Sequence, residues 1–271
     1  MKFSKSVLSI ALMTISVAAF AGTSDIKASN NQVGIQLIGT NVNYKETGNG
    51  TVGAAGKTLD TENGNVNGFA LTASVMRDLW LGNDYMAAEY SRNSGSTGYV
   101  GSAQGGVYGS VVRSSGATMN DYSFRYGKGF SLSEQVMLTP YGEIGHHQWY
   151  RGVNLGETYT NSYYGVGVMG QYSPIPKLVM TANGFVGSTA RSNIDVTGIG
   201  SANLGNSGLY RIGLSADYAI TAKIHGNVGV DYTSFKYGAS AWQSLGGGLT
   251  WAEPNSSTNN TTVKAGLGYA F

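Results

Sequence analysis

The stretch Thr261-Thr262-Val263-Lys264-Ala265-Gly266-Leu267-Gly268-Tyr269-Ala270-Phe271 alternates apolar with small or polar residues and stops on an aromatic. In an extended chain successive side chains point to opposite faces. Val263, Ala265, Leu267, Tyr269 and Phe271 therefore share one face, and Lys264, Gly266, Gly268 and Ala270 share the other. Hydrocarbon takes the first set and the lumen of a closed barrel the second if this is a membrane-spanning β-strand.

The opposite end of the chain fits an exported protein. Lys2 and Lys5 precede an apolar run from Val7 to Phe20 that closes on Ala19-Phe20-Ala21, which reads as a secretory signal peptide cut after Ala21. That run is too short for a spanning helix, and no later stretch reaches the roughly 18 apolar residues such a helix needs. The expected division is therefore 1–21 signal peptide and 22–271 barrel domain. Removing Lys2 and Lys5 lowers the basic count from 17 to 15 against 15 acidic residues, so the exported chain is formally neutral and its charge predicts no nucleic-acid partner.

The composition, with 41 glycines, 18 tyrosines, 4 prolines and 12% charged residues, suits many strands with tight turns. There are no cysteines, which excludes disulfides and thiolate metal sites. Alternation predicts strands near 32–44, 66–77, 84–93, 118–130, 136–149, 159–173, 177–190, 207–219, 223–237 and 260–271. Several carry a clear apolar face: Phe69, Leu71, Ala73 and Val75; Tyr122, Phe124 and Tyr126; Tyr164, Val166, Val168 and Tyr172; Tyr210, Ile212, Leu214, Ala216 and Tyr218; Ile224, Val228, Val230 and Tyr232.

Soluble sandwiches alternate too, so the connections decide the solvent. Short links around 79–83, 131–135, 174–176 and 220–222 alternate with long ones at 45–65, 93–117, 150–158, 191–206 and 238–259. Short periplasmic turns with longer outer loops, and an even strand number that leaves both termini in the periplasm, are the outer-membrane pattern. The expected fold is all-β: a closed, antiparallel, up-and-down transmembrane barrel of about ten strands, with eight as the alternative. Aromatic girdles are expected from Trp80, Tyr85, Phe130, Tyr172, Tyr218 and Phe271 at the short turns, and from Tyr44, Trp149, Tyr150, Tyr159, Phe235 and Tyr237 at the long loops.

On its signal peptide, the strand start Thr139-Pro140-Tyr141-Gly142-Glu143-Ile144-Gly145 and the end Ala265-Gly266-Leu267-Gly268-Tyr269-Ala270-Phe271, the chain resembles the small outer-membrane β-barrels that include opacity-type adhesins and the transmembrane domain of OmpA-like proteins. The resemblance implies a cell outer-membrane location and a barrel-assembly machinery that reads the C-terminal aromatic, here Phe271 with Tyr269 on the same face. Many members have eight strands, and no peptidoglycan-binding domain is expected here.

Parity turns Glu89, Arg125, Glu143, Arg211, Asp217, Asp231 and Lys264 inward, with Glu89 and Arg125 placed to pair. The first expectation is an ion-pair network filling a narrow lumen, the second a proton or ion path; bulk solute transport needs about 16 strands. His146 and His147 fall toward the outer end of the fifth strand, with His147 on the face of Glu143, and His225 begins the ninth strand beside a short turn. An omptin-type protease or lipid A deacylase at the outer rim would need an arrangement of His with carboxylates or Ser, for which no motif is present, so no catalytic residue is assigned.

Two nucleotide-like patterns fail on context. Gly165-Val166-Gly167-Val168-Met169-Gly170 matches GxGxxG inside an alternating strand with no following helix, and Gly53-Ala54-Ala55-Gly56-Lys57-Thr58 has Thr51 where a Walker loop needs its first glycine. No cofactor is expected. The outer loops are rich in Gly, Ser, Asn and Thr, with Trp242 and Trp251 in the last. The leading expectation is a surface-exposed barrel with a structural or adhesin-like role, whose partners are outer-membrane lipids and a host or surface ligand at the loops; the alternative is a narrow channel for ions or small solutes.

Overall fold

The computed structural model describes residues 22–103 and 106–271, so the signal segment and its cleavage residues Ala19 and Ala21 lie outside the described residues. Ten long strands form the barrel: β1 Gln32–Thr47, β2 Thr58–Arg77, β3 Asp84–Gly101, β4 Val111–Lys128, β5 Val136–Arg151, β6 Glu157–Ile175, β7 Leu178–Val196, β8 Gly208–Ala219, β9 Ile224–Tyr237 and β10 Asn255–Ala270. Each pairs antiparallel with its neighbours in sequence, and β1 closes the sheet on β10 from Gln32↔Ala270 to Thr47↔Asn255. Closure leaves no row of unpaired amides to face lipid.

The outward face explains why a closed sheet is needed. Val33, Ile35 and Leu37, Tyr164, Val166 and Val168, Tyr210, Ile212 and Leu214, and Val263 and Leu267 are all exposed. In water this belt would be an uncovered apolar surface far beyond what a soluble monomer shows; in a bilayer it is the contact with hydrocarbon. Its outer edge is a ring of tyrosines: Tyr90 lies directly opposite Tyr122 in register, with ring centroids 4.9 Å apart, and Tyr164, Tyr210 and Tyr232 continue the ring. Trp80, Phe130, Tyr172, Tyr218, Tyr269 and Phe271, also exposed, mark the inner edge. Amphipathic rings favour these two headgroup levels.

This ring corrects part of the expected girdles. Tyr44, Tyr85, Trp149, Tyr159, Phe235 and Tyr237 are buried inside the lumen rather than set at the lipid interface. The cause is parity: Tyr44 and Trp149 share the inward face with Val42 and His147, and a tight lumen fills itself with large side chains. Glycines make room for them. At Gly167 a Cβ would meet the Tyr141 ring, and at Gly145 the Tyr163 ring, so the bare backbone opposite each ring lets a narrow barrel hold an aromatic core.

The strands also run longer than alternation predicts. Residues 58–65, 94–101, 111–117 and 191–196, expected in loops, are paired strand. Outside the tyrosine ring the outward face is wet, so Asn, Gly, Ser and Thr replace its apolar positions, while the inward face mixes buried Tyr44, Val66 and Trp149 with charge, and together these blur the period-2 signal. The barrel therefore continues as a paired wall well beyond the membrane. At the other mouth, α1 Thr23–Ser29 packs inside, with Ile26 fully buried and Asn30 exchanging side-chain hydrogen bonds with Gln171 at 2.7 and 3.1 Å.

Candidate functional site: the lumen and its outer extension

The interior is a stack of polar layers. Nearest the short turns, α1 and the Asn30–Gln171 pair narrow the mouth, and His225 Nδ1 sits 2.5 Å from Asp217 Oδ1, whose other oxygen accepts from Gln32 at 3.2 Å. Asp217 and His225 are two places apart in the β8–β9 register, where Asp217 faces Asn227 and Ala219 faces His225, so the pair forms diagonally on the lumen face. Sequence parity put Asp217 inward and left His225 at the start of its strand beside a short turn; the pairing follows from register.

The middle layer holds most of the charge. Glu143 accepts from Arg125 Nε at 2.6 Å, from Arg211 Nη1 at 2.8 Å and from the Tyr163 hydroxyl at 3.0 Å. Arg125 and Glu143 are direct cross-strand partners on β4 and β5, whereas Arg211 arrives from β8 across the lumen. Lys264 Nζ lies 3.0 Å from Glu89 and 2.8 Å from Asp231. Glu89 thus pairs with Lys264 and not with Arg125, whose guanidinium is held by its direct cross-strand partner Glu143. A cavity of about 200 Å³ lies below this layer and one of about 110 Å³ above it, and Glu89, Arg125, Asp231 and Lys264 line both.

Above it, His147 Nδ1 lies 2.6 Å from Asp121 Oδ1, and its ring meets Phe235 edge-on with centroids 5.4 Å apart. His147 is buried, below the mouth, while His146 points outward and contacts Ser162 Oγ at 3.3 Å. Glu143, the other candidate for a rim hydrolase, is fully engaged with two arginines and a tyrosine.

The outermost layer was not singled out from sequence. Arg151, fully buried, donates to Glu46 at 2.9 Å, Glu62 at 2.8 Å, Glu157 at 3.0 Å and Asp60 at 3.2 Å. Its guanidinium stacks over Tyr44, 4.2 Å from the ring centroid, and lies 5.3 Å from that of Trp149. Tyr159 hydrogen-bonds Glu253 at 2.5 Å, bringing a fifth carboxyl to one cation. A planar fork with five donors and an aromatic-friendly face suits this position as lysine would not. The layer lies beyond the tyrosine ring, outside the membrane-crossing part of the wall. Burial, followed by the neighbouring Glu46 carboxylate, pushes Asp60 up to about 9 against the attraction of Arg151. Burial, then Glu46 and Glu157, raises Glu253 in the same way. Sequence signals existed, since Asp60, Glu62 and Arg151 obey inward parity, but the assignment of 45–65 and 150–158 to loops hid them.

No protein-family model and no curated protein matches this sequence. Among solved structures, the outer membrane protease OmpT from Escherichia coli is similar over 90% of this chain and 97% of its own, with a TM-score of 0.56 at 11% identity. Neisserial surface protein A matches over 88% of this chain and 97% of its own, with a TM-score of 0.34 at 10% identity. Ail, the attachment invasion locus protein of Yersinia pestis, matches over 89% and 99%, with a TM-score of 0.32 at 10% identity. At such identities likeness speaks for the fold alone. With its closed ten-stranded sheet, its apolar belt between two aromatic rings and its polar lumen, the chain has the fold of the small outer-membrane β-barrels.

Proposed function

We propose that this protein is a closed outer-membrane barrel that acts through its outer surface, as a scaffold for contacts with molecules outside the cell, and not by passing solutes. The observation that carries the reading is the stacked lumen: Asn30 with Gln171, then Glu143 with Arg125 and Arg211, then Arg151 with its carboxylates each cross the interior with short bonds. The cavities between these layers are small, about 110 and 200 Å³. The long outer wall supports this reading, since it lifts the loops clear of the headgroups. No reaction is assigned, because Glu143 is held by Arg125, Arg211 and Tyr163 and His147 is paired with Asp121.

The test has two arms. In planar bilayers the purified protein is expected to show no stable openings, and cells displaying it are expected to lose surface binding when the outer loops are shortened. Steady single-channel current would overturn the reading in favour of a narrow channel, the alternative supported by the four charged side chains shared between the two cavities.

A further inference from the structure

Between Lys236 and Glu253 the outer connection from β9 to β10 contains no charged residue. Within it Gln243–Gly246 pairs with Leu249–Trp251 as a small hairpin, turned by Gly246, Gly247 and Gly248 at φ 81°, 61° and 81°. Positive φ at three successive positions is a conformation only glycine adopts without strain. The base is tied to the barrel mouth. Ser240 N donates to Glu253 O at 3.0 Å, Glu253 N donates to Ser240 Oγ at 2.8 Å, and Trp251 packs against the buried lumen cluster.

The rest of the hairpin is uncovered. Trp242 is 52% exposed and Leu249 66% exposed, with Leu245 also exposed. The protein's own bilayer does not account for this, because the apolar faces of β9 and β10 end at Tyr232 and Val263, and both strands continue as polar wall to Tyr237 and Asn255 before the connection begins. Leu155 and Ile199 give two other outer loops exposed apolar residues; Leu155 Cδ1 lies 3.9 Å from where a Cβ on Gly198 would sit, so these two loops meet.

The order of chemistry along the hairpin matches the depth profile of a bilayer surface: aliphatic Leu245 and Leu249 at the tip, Trp242 and Trp251 behind them, and the charges Lys236 and Glu253 only beyond the base. Tryptophan settles at the headgroup level, aliphatic side chains go deeper, and a charge would oppose entry. The hairpin also pairs much of its own backbone, as shallow entry into lipid requires. The segment offers a protein partner no charge to pair with, and its polar side chains are the neutral Ser240, Gln243, Ser244 and Thr250.

Resting on the outer-surface reading above, we propose that this hairpin is a membrane-contact finger that inserts Leu245 and Leu249 into the outer layer of an apposed lipid bilayer. The experiment uses the protein reconstituted in nanodiscs of ordinary phospholipid, mixed with phosphatidylcholine vesicles and separated by flotation. The wild type is expected to float with vesicles, and the double variant Leu245→Asp/Leu249→Asp to lose at least tenfold of that binding while its heat-modifiable gel mobility stays unchanged. Brominated acyl chains placed only in the vesicles are expected to quench tryptophan emission, and Trp242→Phe to remove most of that quenching. Absence of flotation, or flotation indifferent to the double variant, would overturn the proposal, as would hairpin-dependent capture by protein-coated but not by bare vesicles. If cells still adhere through the loops while vesicles are not bound, this inference falls alone; if the protein conducts and yet floats, the outer-surface reading falls alone.

Discussion

Arg151 Nε lies 2.8 Å from Glu62 Oε2, and both side chains are fully shielded from solvent although β5 and β2 are not neighbours in the sheet. The bond therefore ties opposite parts of the wall together in a region that lipid does not support. An ion pair this deep is not by itself a strong source of stability, but removing one partner leaves the other charge stranded.

Replacing Arg151 with alanine is accordingly expected to destabilise the outer wall by about 3–5 kcal/mol. Hydrogen exchange should accelerate in 44–62 and 149–159, while exchange in the apolar belt and gel heat-modifiability remain as in the wild type. Uniform loosening of the whole barrel would contradict the separation of the two regions.

The same layer dictates a pH response. Asp60, whose folded value is raised to about 9, binds a proton in the native state over a range where the unfolded chain has released it. Its contribution to stability is complete below the ordinary aspartate range and is lost as pH rises through about 9, and the raised Glu253 acts in the same direction. Protease resistance of the outer loops is expected to fall between pH 6 and pH 10 by roughly the amount these groups control. Asp60→Asn, which keeps the shape without the proton, should flatten that decline.

Glu143 holds two arginines and a tyrosine hydroxyl in the middle layer. Glu143→Leu leaves Arg125 and Arg211 without their shared acceptor, and a loss of about 3 kcal/mol is expected in urea unfolding from lipid vesicles. Glu143→Gln, which keeps an acceptor oxygen, should lose less. Equal losses would mean that the layer works by packing and not by charge.

Lipid contact makes a position-dependent prediction. Val166 is 63% exposed in the middle of the apolar belt, whereas Thr160, on the same face of β6, lies outside the tyrosine ring. Val166→Arg is expected to cost about 2–4 kcal/mol and Thr160→Arg about 0–1 kcal/mol in folding from vesicles.

Much of this architecture was legible in the sequence, and the boundary of legibility has a physical cause. Inside the apolar belt one face meets hydrocarbon and the other a polar lumen, so Tyr210 to Tyr218 or Val263 to Phe271 reveal strand, parity and solvent together. Beyond Tyr90 and Tyr122 that contrast disappears, and the strand continuation through Ser94 and Gly101 reads as loop. The charged lumen residues were placed inward by parity alone. Their partners were not, since Lys264 reaches Glu89 and Arg211 reaches Glu143 across the interior, which neither spacing nor adjacency along the chain encodes. The girdle aromatics were misplaced where position along a strand was used without parity, as at Tyr85 and Trp149.

The central claim is that one face of each strand touches hydrocarbon while the other lines a closed interior. A chain without cysteines allows it to be tested by single-cysteine spin labels scanned along β8 in lipid vesicles. High oxygen accessibility is expected at Tyr210, Ile212, Leu214, Ala216 and Tyr218, and low accessibility at Arg211, Gly213, Ser215 and Asp217. Labels that sense aqueous relaxant equally at both sets, with no period of two, would contradict the account.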